Sequence, residues 1–235
     1  NGKQLSIFRT HRGNVSDTAF SPDGKLLATV GQDRQDVFSD STVRLWNTSG
    51  KQLAIFRKDQ KGFGFQQVVF SSDSKRLAIS ESGGIVKLWD INGKELALLR
   101  KSLGGVGHPE YYPQQSAEFS PNGKLIAIAE YDDTVTLKDA NGKELAKLIG
   151  HEGYILSMAF SYDSKLLATA SGDGTVRLWD ISNTLAKSRF WGTSIRELAQ
   201  FKGHTGRVEK VAFSPNDKLL ATVTAEGTAQ LWDIN

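Results

Sequence analysis

At 235 residues, with 39% hydrophobic and 23% charged residues and only 5 prolines, the chain can bury a core, and one all-β domain accommodates its length. The longest aliphatic run, Leu125 to Ala129, falls far short of the roughly 20 residues of a spanning helix, and cysteine is absent; this excludes a helical membrane protein, a disulfide framework, a thiolate zinc site and a cysteine nucleophile. The net charge is +3, with lysines and arginines spread along the chain and no basic block, so nothing calls for a nucleic-acid partner.

The chain starts at Asn1, with neither an initiator methionine nor an apolar signal segment, as expected of an excised or processed piece. It is then a series of repeats with a mean period of 47 residues. Repeat openings stand at Gly2 (GKQLSIF), Gly50 (GKQLAIF), Gly93 (GKELALL), Gly142 (GKELAKL) and, after an insertion, Ile195 (IRELAQF). A phenylalanine-serine turn follows at Phe20, Phe70, Phe119, Phe160 and Phe213, and each repeat closes on a string such as TVRLWN at Thr42 or TVRLWD at Thr175. The repeats span 2–49, 50–92, 93–141, 142–182 and 183–235. Each holds four short apolar or alternating runs between turn residues, which predicts a four-stranded antiparallel meander with no helix. One such sheet cannot cover both of its apolar faces, so radial stacking into a single all-β propeller domain over 1–235 is expected.

The string GHEGYILSMAFSYDSKLLATASGDGTVRLWD, Gly150 to Asp180, resembles a WD repeat of the β-transducin type. The resemblance covers essentially the whole chain and is most similar to the regular arrays of bacterial WD-repeat proteins. It implies that each repeat begins with the outermost strand of one blade and continues with the inner three of the next. The chain opens on an outer-strand sequence, Gly2 to Phe8, and stops on an inner-three ending, so pairing the two would close the ring and hide both sheet edges. The family usually closes with seven blades. Five form a complete ring here, or the chain is part of a longer ring, or it closes through a second copy; a monomer is favoured.

His11, His151 and His204 each lie nine residues before the repeat phenylalanine. In the resembled family this histidine bridges a Ser or Thr on the next strand and an Asp in the turn before the tryptophan. Carried over, this implies His151, Thr169, Asp173 and Trp179 in the fourth repeat and His204, Thr222, Glu226 and Trp232 in the fifth, with Glu in place of Asp. The first has His11, Thr29 and Trp46, with Asp40 or Asp33 as the carboxylate. Such a set imitates a hydrolase triad, but recurrence in three repeats points to a buried stabilising network rather than catalysis. The second and third repeats lack it, with Ile79 and Gly83 at the hydroxyl and carboxylate positions and Lys138 at a tryptophan position. Glu118, which stands where other repeats carry Ala or Val, either compensates Lys138 or reaches solvent independently of it.

Departures from the repeat carry the functional signal, because propeller loops tolerate insertion and bind partners. In the resembled topology three insertions share the top face: Gly31 to Asp40, Arg57 to Gln67 and Arg100 to Gln115. Together they form a crescent of Arg34, Phe38, Arg57, Lys58, Lys61, Phe63, Phe65, His108, Glu110, Tyr111 and Tyr112. Aromatics beside cations suit the capture of a protein or peptide; the competing reading is that these rings only fold the inserted loops onto the blades. A further insertion between Asp180 and Leu198 carries Phe190 and Trp191, an anchor on the bottom face or a cap on the channel. Gly104, Gly105 and Gly107 lack the context of a phosphate loop, and no spacing suggests a metal site or a cofactor.

These readings combine into a non-enzymatic cytoplasmic scaffold that binds a protein or peptide through its top face, as a module of a larger bacterial signalling or assembly protein. No membrane or nucleic-acid partner is expected. The alternative is a five-bladed binder of small ligands or carbohydrate, or a glycosidase, with Glu118, Glu209 and Asp17 as its only candidate carboxylates.

Overall fold

The computed structural model describes residues 2, 7–8, 11–33, 41–57, 64–81, 84–101, 117–184 and 195–234, which group into two compact units, Asn1–Pro109 and Glu110–Asn235. All nineteen strands among the described residues lie in antiparallel sheets joined in sequence order. In the first unit, β1 (Val15–Phe20), β2 (Leu26–Gln32), β3 (Ser41–Asn47) and β4 (Gln52–Phe56) make one sheet, and β5 (Phe65–Phe70), β6 (Arg76–Glu81), β7 (Val86–Asp90) and β8 (Glu95–Arg100) a second. The second unit begins with β9 (Ala117–Phe119), β10 (Leu125–Ala129), β11 (Val135–Asp139) and β12 (Glu144–Leu148). Its next sheet is β13 (Ile155–Phe160), β14 (Leu166–Ser171), β15 (Val176–Asp180) and β16 (Arg196–Phe201), and its last is the three-stranded β17 (Val208–Phe213), β18 (Leu219–Thr224) and β19 (Ala229–Asp233). Strands and turns fall where the repeat pattern predicts them.

Each sheet has two unlike faces, because side chains alternate along a strand. A leading face carries the repeat phenylalanine and, in four of the five, tryptophan; a trailing face carries a leucine and small residues. In the first unit the trailing Ala28, Val30 and Leu45 pack on the leading Phe70, Leu77 and Trp89 of the next sheet. In the second unit Ala127, Leu137 and Leu148 pack on Met158, Phe160 and Trp179, and Ala168, Ala170 and Leu178 pack on Val211, Phe213 and Leu220. Two phenylalanines cap a tryptophan edge-on: Phe8 on Trp46 at 5.9 Å, and Phe56, at the end of β4, on Trp89 of the next sheet at 5.8 Å between centroids.

Two faces stand open to solvent. Phe20, on the leading face of the first sheet, is 66% exposed, whereas its four equivalents are between 6 and 8%. Leu231, on the trailing face of the last sheet, is 71% exposed, against 3% or less for Leu45, Leu88, Leu137 and Leu178.

Candidate functional site

The fourth repeat builds the histidine network in full. His151 Nε2 lies 2.8 Å from Thr169 Oγ1, which also accepts the indole N–H of Trp179 at 2.9 Å. His151 Nδ1 lies 2.8 Å from Asp173, whose carboxylate also accepts the Thr175 hydroxyl and the backbone N–H groups of Thr175 and Glu152. One polarity satisfies all of them: indole N–H to threonine oxygen, threonine O–H to Nε2, and Nδ1–H to carboxylate. Burial works against the Asp173 charge, but the bonds from His151, Thr175 and Glu152 outweigh it and hold the carboxyl far below the usual range. Thr169 is completely buried and its oxygen already accepts the Trp179 N–H hydrogen bond, so this triad has no access to a substrate.

In the first repeat the carboxylate is Asp33, at 3.2 Å from His11 Nδ1, while His11 Nε2 and the Trp46 N–H both reach Thr29 at 3.1 Å. Asp40, the other alternative, lies outside the described residues. Asp33 also takes Arg44 at 2.9 Å and the Thr42 hydroxyl at 3.0 Å; although burial opposes its charge, these partners hold its carboxyl below the ordinary value. The arginine partner carries no signal in the histidine spacing.

The fifth repeat corrects the expectation for Glu226. His204 Nε2 reaches Thr222 at 2.9 Å and Trp232 donates to the same oxygen at 3.0 Å, but buried Nδ1 has no hydrogen-bond partner. One methylene longer than Asp, Glu226 lays its carboxylate against Gly206 rather than on that nitrogen. In the second repeat Ile79 replaces the threonine, and the buried Trp89 N–H is left unbonded. A stranded buried donor of this kind costs about 1–3 kcal/mol.

Compensation between Glu118 and Lys138 is ruled out by the pleat. Glu118 pairs with Ala127 and Lys138 with Ile126, and neighbouring residues of β10 point to opposite faces. Of the other carboxylates weighed as catalytic, Asp17 accepts the backbone N–H of Val68 at 2.9 Å, and Glu209 pairs with Arg207 at 2.6 Å.

Of the crescent, only Arg57 and Phe65 fall among the described residues. Arg57 is exposed at the end of β4. Phe65 is 5% exposed and packs in the core between the first two sheets, so it is a structural ring and not a binding anchor. Its β-strand start, rather than a loop, explains this: its N–H is held by the Ser41 hydroxyl of the preceding sheet. Arg34, Phe38, Lys58, Lys61, Phe63, His108, Glu110, Tyr111, Tyr112, Phe190 and Trp191 lie outside the described residues, as do Gly104, Gly105 and Gly107. Among the described residues no group of three or more His, Asp or Glu is placed to hold a metal ion.

The spacing of the repeat phenylalanine hid a second set of joints between sheets. At the fourth position after it, every repeat has positive φ: Gly24 and Gly123 at 69° and 70°, but Ser74, Ser164 and Asp217 at 58°, 61° and 57°. Those three side chains reach back to the turn of the preceding sheet. Ser74 accepts Asp23 N–H at 3.3 Å, Ser164 accepts Asn122 N–H at 3.1 Å, and Asp217 accepts both Tyr162 and Asp163 N–H at 2.8 and 2.9 Å. A non-glycine residue at a left-handed turn is the sequence signal for this joint.

The family model for the WD domain, G-beta repeat, matches residues 2–47, 142–180 and 195–233, more than half of the chain. The guanine nucleotide-binding protein subunit beta of Nicotiana plumbaginifolia is 41% identical over 88 residues, 37% of this chain and 22% of its own. Protein CIA1 of Arabidopsis thaliana is 37% identical over 93 residues, covering 37% of this chain and 25% of its own. The U4/U6 small nuclear ribonucleoprotein PRP4-like protein of Arabidopsis thaliana is 36% identical over 86 residues, 35% and 13% of the two chains. The matches thus span a quarter or less of these curated relatives. All three are plant proteins, so the comparisons give no support to the bacterial regular-array assignment.

Proposed function

The chain belongs to the WD-repeat, G-beta-like family, and from that premise we propose that it is a non-enzymatic scaffold that captures a protein or peptide. The observation that carries the reading is the fully satisfied His151–Thr169–Asp173–Trp179 network: the residues that imitate a catalytic triad are consumed in holding a sheet rigid. Rigid sheets preorganise the loops they carry, so little ordering entropy is lost when a partner docks. Two relatives, a G-protein subunit and a ribonucleoprotein-like protein, fit a subunit working inside assemblies.

The five sheets are proposed to act as the blades of one ring, with the Gly2 to Phe8 segment as fourth strand beside β19. The three-stranded last sheet and the contact of Phe8 with Trp46 support this closure. The partner surface is proposed to be the top-face crescent, with Phe63 and Tyr112 as anchors and Arg57 at its rim. Its test is a pull-down and titration against a partner identified by crosslinking. Phe63→Ala or Tyr112→Ala should weaken binding at least tenfold with an unchanged melting temperature; unchanged affinity for both removes the crescent.

A further inference from the structure

Within the second unit the innermost strands β9, β13 and β17 border a cavity of about 400 Å³. Pockets of roughly 300–1,000 Å³ accommodate small ligands or a few side chains of a peptide. Its walls are apolar, among them Phe119 and Met158, and its polar lining includes Glu118, Ser157 and Lys210. Tyr162, 59% exposed, stands in the lining as well.

Three of these residues depart from the repeat, and none is needed by it. Glu118 replaces Ala19, Val69, Ala159 and Ala212; Lys210 replaces Asp17, Gln67, Ser116 and Ser157; Tyr162 replaces Pro22, Ser72, Pro121 and Pro215. The Lys210 position has a structural task elsewhere. There a bulge re-aims the side chain so that an acceptor takes the N–H of the next inner strand, as Asp17 does for Val68 at 2.9 Å and Ser157 does for Val211 at 3.4 Å. Lysine has no acceptor and cannot do this. Lys210 is exposed, and its ammonium forms no ion pair with another described residue. A fold requirement has been given up at Lys210, and an acid introduced at Glu118, at the borders of one cavity.

We propose that this cavity is a docking site for a short peptide segment carrying one basic and one acidic side chain separated by apolar residues. The basic group meets Glu118, the acidic group meets Lys210, and the apolar part lies against the exposed Tyr162 ring. β9, β13 and β17 are each the end strand of their sheet. The proposal shares with the scaffold reading the idea of a peptide partner but uses none of the crescent residues.

The test is a titration of the full chain with acetyl-Lys-Ala-Leu-Glu-amide, followed by amide NMR shifts. Saturable shifts at Glu118, Ser157 and Lys210 are expected, with no binding of acetyl-Gln-Ala-Leu-Gln-amide. Glu118→Gln and Lys210→Gln should each raise Kd at least tenfold. Because Lys210 is exposed, Lys210→Gln leaves the fold intact, which a melting curve verifies. Absence of saturable shifts, equal binding of the neutral peptide, or an unchanged Kd in Lys210→Gln overturns the proposal. Free leucine binding as tightly as the peptide would overturn the peptide assignment. Phe63→Ala should leave this titration unchanged, so failure here is separable from failure of the crescent.

Discussion

Burial lowers the pKa of His11 and of His204, with Asp33 opposing the shift at His11. Both histidines therefore bind protons more weakly folded than unfolded, and stability contributed above the ordinary pKa of about 6.5 is lost as pH falls through the lowered value. Asp33 and Asp173, held below the usual carboxylate range, add stability that is present above about pH 4 and lost in acid. The urea midpoint should be level near pH 8, decline from about pH 6.5, and decline again below about pH 4; a level midpoint between pH 7 and 5 would contradict the histidine assignment. The fixed histidine-to-phenylalanine spacing marked the three histidines as structural, and the family resemblance, not the spacing, supplied their partners. The carboxylate partners were less legible, because an insertion offered both Asp33 and Asp40, and because the extra methylene of Glu226 is invisible to spacing.

Between sheets, stability rests on apolar faces and on the side chains that reach back from one turn to the preceding one. Asp217 is the strongest case, since one carboxylate accepts two backbone N–H groups. Its φ of 57° costs strain that glycine would not pay. Asp217→Gly removes the strain and the bonds together, and it should still destabilise the chain by about 1 kcal/mol in denaturant titration. Asp217→Ala, which keeps the strain and loses the bonds, should cost more. A Gly variant as stable as the parent would show that the bonds contribute nothing. Strand order and turns were legible because Phe-Ser-Pro-Asp-Gly strings and period-2 runs fix them locally. These joints were not, because a serine after Asp reads as an ordinary turn residue until the neighbouring sheet is in place. Phe65 differs from expectation for a related reason: nothing in the insertion's sequence marks where it ends, and its last residues begin β5.

At the scale of the molecule, the question is what meets the Phe20 face and the Leu231 face. In every joint described within a unit, a trailing leucine face covers a leading phenylalanine face, so the two uncovered faces are complementary by the repeat itself. The joint they would make in the proposed ring lacks the side-chain bonds seen at the joints of the fourth and fifth sheets. Gly24 has no side chain to reach back, and Lys210 cannot accept the N–H that Asp17 and Ser157 accept in their places. Between the two faces its strength would come from apolar burial, at about 1.5–3 kcal/mol for each large side chain covered. The measurement is solution mass by light scattering, followed by unfolding of Leu231→Asp. A ring closed on itself gives a monomer near 25.7 kDa, and the substitution lowers stability by more than about 2 kcal/mol because it places a charge in a covered face. An open face gives the same mass but a change within about 0.5 kcal/mol, as for an ordinary surface site. Closure through a second copy gives a dimer that Leu231→Asp returns to monomer, and the crescent would then span two chains.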